Sequence, residues 1–174
     1  MKMLMIKTVV KNSTLHGLGL FAAENVTKGQ LIAILAYQAH ILTEHEYQIE
    51  QEKGNEIIAL SAARWIGEIF LTGDKIGDEE RINHSVNPTM LYHCGLCFAK
   101  KDLKIGDELT VDYKYFLASD DVNKFKGSDN VNSYMVDGIN SHQALIDSAK
   151  ELINLFSDAK LTYNKNFLLL NKKN

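Results

Sequence analysis

Apolar and polar positions alternate in short runs over the first two thirds of this 174-residue chain, and the period then changes. Residues 4–10, Leu-Met-Ile-Lys-Thr-Val-Val, read as a strand rich in β-branched side chains. Residues 30–37 form a second apolar strand after the Lys28-Gly29 turn. Thr43 followed by Glu46 is a capping box that predicts a short helix. Ile57 to Leu60 and Arg64 to Leu71 read as short strands separated by a turn. A polar stretch from Gly73 to Glu80 has no apolar period. Met90–Cys94 and Leu96–Ala99 resume the strand pattern, Lys100–Asp107 is a charged turn, and Glu108–Tyr113 is a last strand. Asp120–Ser133 reads as a long polar loop. From Ser141 onward Leu145, Ile146, Ala149, Leu152, Ile153 and Phe156 recur at helical intervals, predicting a helix near 142–157 with Ser141 as N-cap. Phe167–Leu170 reads as a short strand or docking segment. The sum is a mostly-β (α+β) protein with a C-terminal helix.

Composition narrows the function classes. A hydrophobic content of 45% supplies a core, and a net charge of −3 gives no reason to expect nucleic-acid wrapping. The N-terminus has too short an apolar run for a signal peptide, and no stretch approaches a membrane span. Two cysteines make no disulfide framework, so a reducing compartment is the default, cytoplasmic or nuclear. Export to a host without a classical signal peptide would leave no trace in the sequence.

Candidate chemistry concentrates in Arg81-Ile82-Asn83-His84-Ser85-Val86-Asn87-Pro88, which ends on the only proline of the chain. A polar cluster between a loop and a strand is a common mounting for binding groups, and equally an ordinary turn. His16-Gly17-Leu18-Gly19-Leu20-Phe21-Ala22 contains the formal dinucleotide pattern G-x-G-x-x-A. That pattern requires a helix opening at the glycines, and the turn at Val26–Gly29 leaves no room for one. Cys94-Gly95-Leu96-Cys97 is formally C-x-x-C, but zinc needs further ligands and a redox pair normally opens a helix. Buried structural cysteines are the expectation, with a bulge at Gly95 as the way the two thiols would meet.

Three segments, in this order, resemble the SET-domain protein lysine methyltransferases. They are His16–Ala22 with Lys28-Gly29; Arg81–Pro88, similar to the family's Arg-Phe-x-Asn-His-Ser-Cys-x-Pro-Asn; and Ala99–Tyr113, similar to Ala-x-Arg-Asp-Ile-x-x-Gly-Glu-Glu-Leu-Thr-x-Asp-Tyr. Val86 stands at the family's cysteine, taken as a small swap of buried type, and Thr89 at its asparagine; no Cys-rich zinc module follows Tyr115. The resemblance implies a β-clip of several short sheets with a pseudoknot-like core. It implies a catalytic domain over 1–115, with 116–174 closing the active site or dimerising through the helix. The implied reaction is methyl transfer from S-adenosyl-L-methionine to the ε-amine of a lysine in a protein, a histone or another basic protein, with mono- or dimethylation favoured. No nucleic acid, membrane or metal is implied.

By the same resemblance, Tyr113 is the catalytic residue, its hydroxyl near the transferred methyl. Gly17, Leu18, Gly19, Asn83 and His84 hold the cofactor, His84 through its backbone. Tyr37, Tyr92 and Tyr115 line the channel for the substrate lysine, and Tyr92 influences how many methyls are added. Arg81 is expected to pair with Asp78, Glu79 or Glu80, and Phe116, Phe125 and Tyr134 to pack beside the site. A non-catalytic module that grips a peptide or the cofactor is the alternative; a thiol oxidoreductase using Cys94 and Cys97 is a third.

Overall fold

The computed structural model describes residues 3–35, 40–67, 69–117, 136 and 138–157. Tyr37, Phe125, Tyr134, the expected loop over 120–133 and the segment 167–170 lie outside them. In chain order the elements are β1 (Thr8–Asn12), β2 (Leu18–Ala22), β3 (Leu31–Ile34), β4 (His40–Thr43), α1 (Glu44–Glu52), α2 (Glu56–Ser61), β5 (Ala63–Ile66), β6 (Ile69–Thr72), β7 (Asn83–His84), β8 (Met90–His93), β9 (Leu96–Ala99), β10 (Thr110–Val111) and α3 (Ser141–Ser157). Short 3-10 turns cover Asp78–Arg81 and Tyr113–Tyr115.

The described residues form four small sheets: β1–β2, β3–β9–β8, β4–β6–β5 and β7–β10. Leu20, Ile32, Met90, Leu91, Leu103 and Leu109 are fully buried where the first two meet the C-terminal strand. The segment before β10 is threaded between distant partners. Leu103 bridges Val26, Glu108 bridges Phe21, and the Leu109 N–H donates to the Leu20 carbonyl at 2.7 Å. β10 then runs parallel to β7, with Thr110 opposite Asn83 and Val111 opposite His84. This threading is the pseudoknot-like core, and it sets the second and third motifs side by side.

The β4–β6–β5 sheet forms a lobe with α1 and α2 around Tyr47, Ile58 and Phe70. Tyr47 stacks on Phe70 with ring centroids 4.1 Å apart. The predicted capping box is present, Thr43 accepting from the Glu46 N–H and Glu46 from the Thr43 N–H. The expected strand at Ile57–Leu60 is instead the helix α2. Asn55 caps it, accepting from the N–H groups of Ile57 and Ile58.

Three further expectations shift. β1 starts at Thr8 rather than at Leu4, which makes only a bridge to Ala33. The last strand is two residues long, because Asp112 caps the 3-10 turn that begins at Tyr113. α3 is capped by Asn140, whose side chain accepts from the His142 and Gln143 N–H groups, and not by Ser141. α3 docks on β5 and β8, burying Ala144, Ser148 and Leu155. Lys100 pairs with its Glu151 at 2.8 Å, and His93 Nδ1 meets its Ser148 Oγ at 2.9 Å.

Cys94 and Gly95 both have positive φ, +48° and +82°, and form the two-residue turn between β8 and β9. A turn stands at Gly95, where a bulge would have been needed to bring the thiols together, with Cys97 buried opposite Tyr92 and Cys94 half-buried, both as free thiols.

Candidate functional site

A cleft of about 360 Å³ opens where the β1–β2 hairpin, the lobe and the threaded core meet. Gly17 and Leu18 line one side, and Ala63, Leu71 and Thr72 of the lobe another. Glu79, Glu80, Arg81, Ile82 and Asn83 enter from the polar stretch, and Tyr92, Val111, Tyr113 and Phe116 from the core. The fold thus brings together five predicted site residues: Gly17, Leu18, Asn83, Tyr92 and Tyr113. Gly19 and His84 lie behind its wall, and Tyr115 points elsewhere, its hydroxyl donating to Glu151 of α3.

The two glycines serve different needs. Gly17 has φ +46°, a backbone state that side chains rarely adopt. Gly19 is required by space, because a Cβ there would stand 2.4 Å from Glu108 Oε1. That carboxylate accepts from the Ser13 hydroxyl at 2.8 Å and from Asn83 Nδ2 at 2.9 Å. The other Asn83 Nδ2 hydrogen is shared between the carbonyls of His16 and Leu18, at 3.1 and 3.2 Å. Asn83 therefore buckles the glycine hairpin to the threaded strand, with Glu108 as the anchor beneath. Glu108 escaped the sequence reading, where it appeared only as the first residue of a strand. The signal available was its place in a motif where the family pattern also carries an acid.

His84 is buried, and its Nδ1 accepts the Tyr113 N–H at 3.1 Å. The ring is thus neutral, with its proton on Nε2. Burial holds its pKa below the ordinary histidine value, against the pull of the Asp112 carboxylate 3.9 Å away. Its side chain fixes where Tyr113 begins its turn. The Tyr113 hydroxyl donates to the Ile82 carbonyl at 2.7 Å, and its ring packs on Phe116 with centroids 4.7 Å apart. Tyr92 also packs edge-on against Phe116. Its hydroxyl is buried with no hydrogen-bond partner within 3.5 Å, and burial pushes its pKa far up against the lowering effect of the nearby Gly95 backbone N–H.

The acidic side of the cleft was not foreseen. Burial and the neighbouring Glu79 raise the Glu80 carboxyl to about 7, against the lowering field of Arg81. Arg81 lines the cleft, and among the described residues no ion pair within 4.0 Å joins it to Asp78, Glu79 or Glu80. In the turn that follows, Ser85 Oγ accepts the Asn87 N–H at 3.1 Å. Val86 is exposed, so its exchange for cysteine is a surface change and not a buried one. Thr89 ties the turn to the core, its hydroxyl donating to the Glu108 carbonyl at 2.8 Å. Among the described residues no group of three His, Cys, Asp or Glu side chains is placed to hold a metal ion. None of their helices is long and apolar enough to cross a membrane.

Comparison with curated protein sequences finds no match. Among solved structures, the chain is similar to the Neurospora SET domain protein DIM-5, a histone lysine methyltransferase, at 20% identity with a TM-score of 0.47. The alignment covers 63% of this chain and 52% of that one. It is also similar to a humanized mutant of the Chaetomium thermophilum Polycomb Repressive Complex 2 bound to the inhibitor GSK126, at 19% identity with a TM-score of 0.46, covering 62% of this chain and 15% of that one. The chain thus spans about half of the first structure's length and a small part of the second's. The SET domain family model matches residues 17–114, from the first glycine of the hairpin to the residue after Tyr113. That span is more than half of the chain and contains both glycines of the hairpin, the polar turn and the tyrosine of the cleft: the chain belongs to the SET-domain family.

Proposed function

We propose that the cleft transfers a methyl group from S-adenosyl-L-methionine to the ε-amine of a lysine presented by a protein. The carrying observation is the convergence in one cleft of the glycine hairpin, Asn83, Tyr113 and Tyr92. The residues present suit such a cofactor. Gly17 and Leu18 offer backbone at close approach, Arg81 offers a cation for a carboxylate, and Glu79 and Glu80 offer anions for cationic groups. Ile82, Leu71 and Val111 give the apolar surface a flat base needs. When bound, the cofactor supplies a methyl on a sulfonium, which makes that carbon electrophilic.

The chain's own residues do the positioning. Tyr113, held at both its N–H and its hydroxyl, presents an oriented phenol to the cleft. A lysine amine must arrive neutral, although its ordinary pKa is about 10.4. Apolar walls from Phe116, Ile82 and Val111 disfavour its charged form. Holding amine and methyl in line is the main source of acceleration available here. A polar Tyr92 hydroxyl favours an amine that keeps N–H bonds, which supports mono- or dimethylation.

The test is transfer of labelled methyl to histones and to proteins of a cell lysate. Wild type labels a protein lysine. Tyr113→Phe lowers kcat by about a hundredfold, as expected for one oriented group at the reacting centre, with cofactor affinity changed by less than about threefold. Cofactor binding without label on any protein would replace this reading by a non-catalytic binding module.

A further inference from the structure

Tyr92 lines a second cavity as well as the cleft. This chamber, of about 10 Å³, lies between β5, β8 and the first turns of α3. That is the smallest volume that accepts one water molecule. Three polar side chains point the chemistry. Trp65 and Tyr92 both line the chamber, and the indole N–H of the one and the hydroxyl of the other are buried with no hydrogen-bond partner within 3.5 Å. Ser148 of α3 lines it too, its hydroxyl set between the Leu145 carbonyl at 3.2 Å and His93 Nδ1 at 2.9 Å, which leaves one Oγ lone pair for a further donor. Arg64 borders the chamber with its guanidinium already on Glu44 and the Gly67 carbonyl.

An indole N–H can only donate, and a phenol can donate or accept. The two cannot be left dry without cost, and one small acceptor that also donates satisfies both. We infer that one ordered water is built into this chamber, accepting from Trp65, bonded to the Tyr92 hydroxyl and within reach of Ser148. Trp65 is then a positioning residue for Tyr92, acting through that water. Ser141, Ala144, Leu145 and Ser148 roof the chamber. They lie beyond the residues matched to the family, so α3 completes a site that the family domain alone leaves open. The role in positioning rests on the proposed methyl transfer; the water site does not.

Two arms separate them. The first is a high-resolution crystal structure with a double-mutant cycle in thermal stability. Wild type shows a water within hydrogen-bond distance of both Trp65 Nε1 and Tyr92 Oη. Trp65→Phe and Tyr92→Phe each lower Tm by about 2–4 °C, and the double variant falls no further than the worse single one. Trp65 is the only tryptophan, so its emission also shifts in Tyr92→Phe. Absence of that water, or additive Tm losses, overturns the site. The second arm is turnover: the kcat changes of the two variants do not add. Additive kcat changes with the water present overturn the positioning role alone; absence of any turnover overturns that role together with the methyl-transfer reading, and the first arm still decides the water site.

Discussion

A carboxylate that would sit 2.4 Å from a Cβ at position 19 makes that glycine a matter of volume, whereas Gly17 is a matter of backbone angle. The two should fail differently. Gly19→Ala must push Glu108 off Asn83 and Ser13, and is expected to cost about 1–3 kcal/mol in urea unfolding. Gly17→Ala meets no neighbour within 4 Å and pays only for its φ, about 1 kcal/mol. Two titrations act in opposite senses. His84 folds neutral with its pKa depressed, so its contribution is full above the ordinary value of about 6.5 and is lost as pH falls through the folded value. Half-buried His93 acts in the same direction. Glu80 is raised, so the folded state holds its proton longer and stability falls as pH rises from about 4.5 to about 7. Thermal unfolding should show that Glu80→Gln stabilises at pH 7.5, by on the order of 1 kcal/mol after solvent screening, and does not at pH 4. A cation bound in the cleft draws that proton off, so cofactor titrations at pH 7 should give heats that depend on the buffer. Asn83 and Tyr113 could be named from motif alone. Glu108, Glu79 and Glu80 could not, because their roles depend on which strand threads beside them.

Short elements were the harder ones to read. Four apolar-leaning residues at Ile57–Leu60 carry no period that separates strand from helix, and β-branching favoured strand. The decision lay just outside the run, in Asn55 and Glu56 at the helix start, and in Ile58 packing against Tyr47 and Phe70. Asn55→Ala should therefore cost about 1 kcal/mol of stability and loosen the lobe, read by hydrogen exchange at Ile57 and Ile58. The capping box at Thr43 and the stripe on α3 were legible because each is a local rule. The α3 cap was misplaced by one residue because Asn140 and Ser141 are both good caps and only geometry chooses. The two-residue β10 was illegible as such: alternation ran on to Tyr113, and the Asp112 cap that ends it competes with pairing.

At the scale of the molecule, α3 is part of the domain body. Leu155 is buried with the main core, Glu151 joins Lys100 and the Tyr115 hydroxyl, and Phe156 meets Phe98 at 5.6 Å. Leu155→Asp should destabilise by about 3 kcal/mol or more and lower the single unfolding transition, measured by calorimetry. A second, separate transition for α3 would contradict this docking. The overall β architecture followed from the short alternating runs, and the order of the motifs placed the threading. The position of α3 did not follow, since one apolar stripe favours docking over pairing but does not name the strands it docks on.

The threading of Glu108–Val111 between β2 and β7 also fixes an order of birth. Ser13 and Asn83 wait for a partner that the ribosome delivers 95 and 25 positions later. Until Tyr113 has left the exit tunnel, the emerging hairpin has neither its anchor nor its floor. A nascent chain stalled before that point is a polypeptide with two motifs and no cleft, and its exposed apolar strands need a chaperone's shelter.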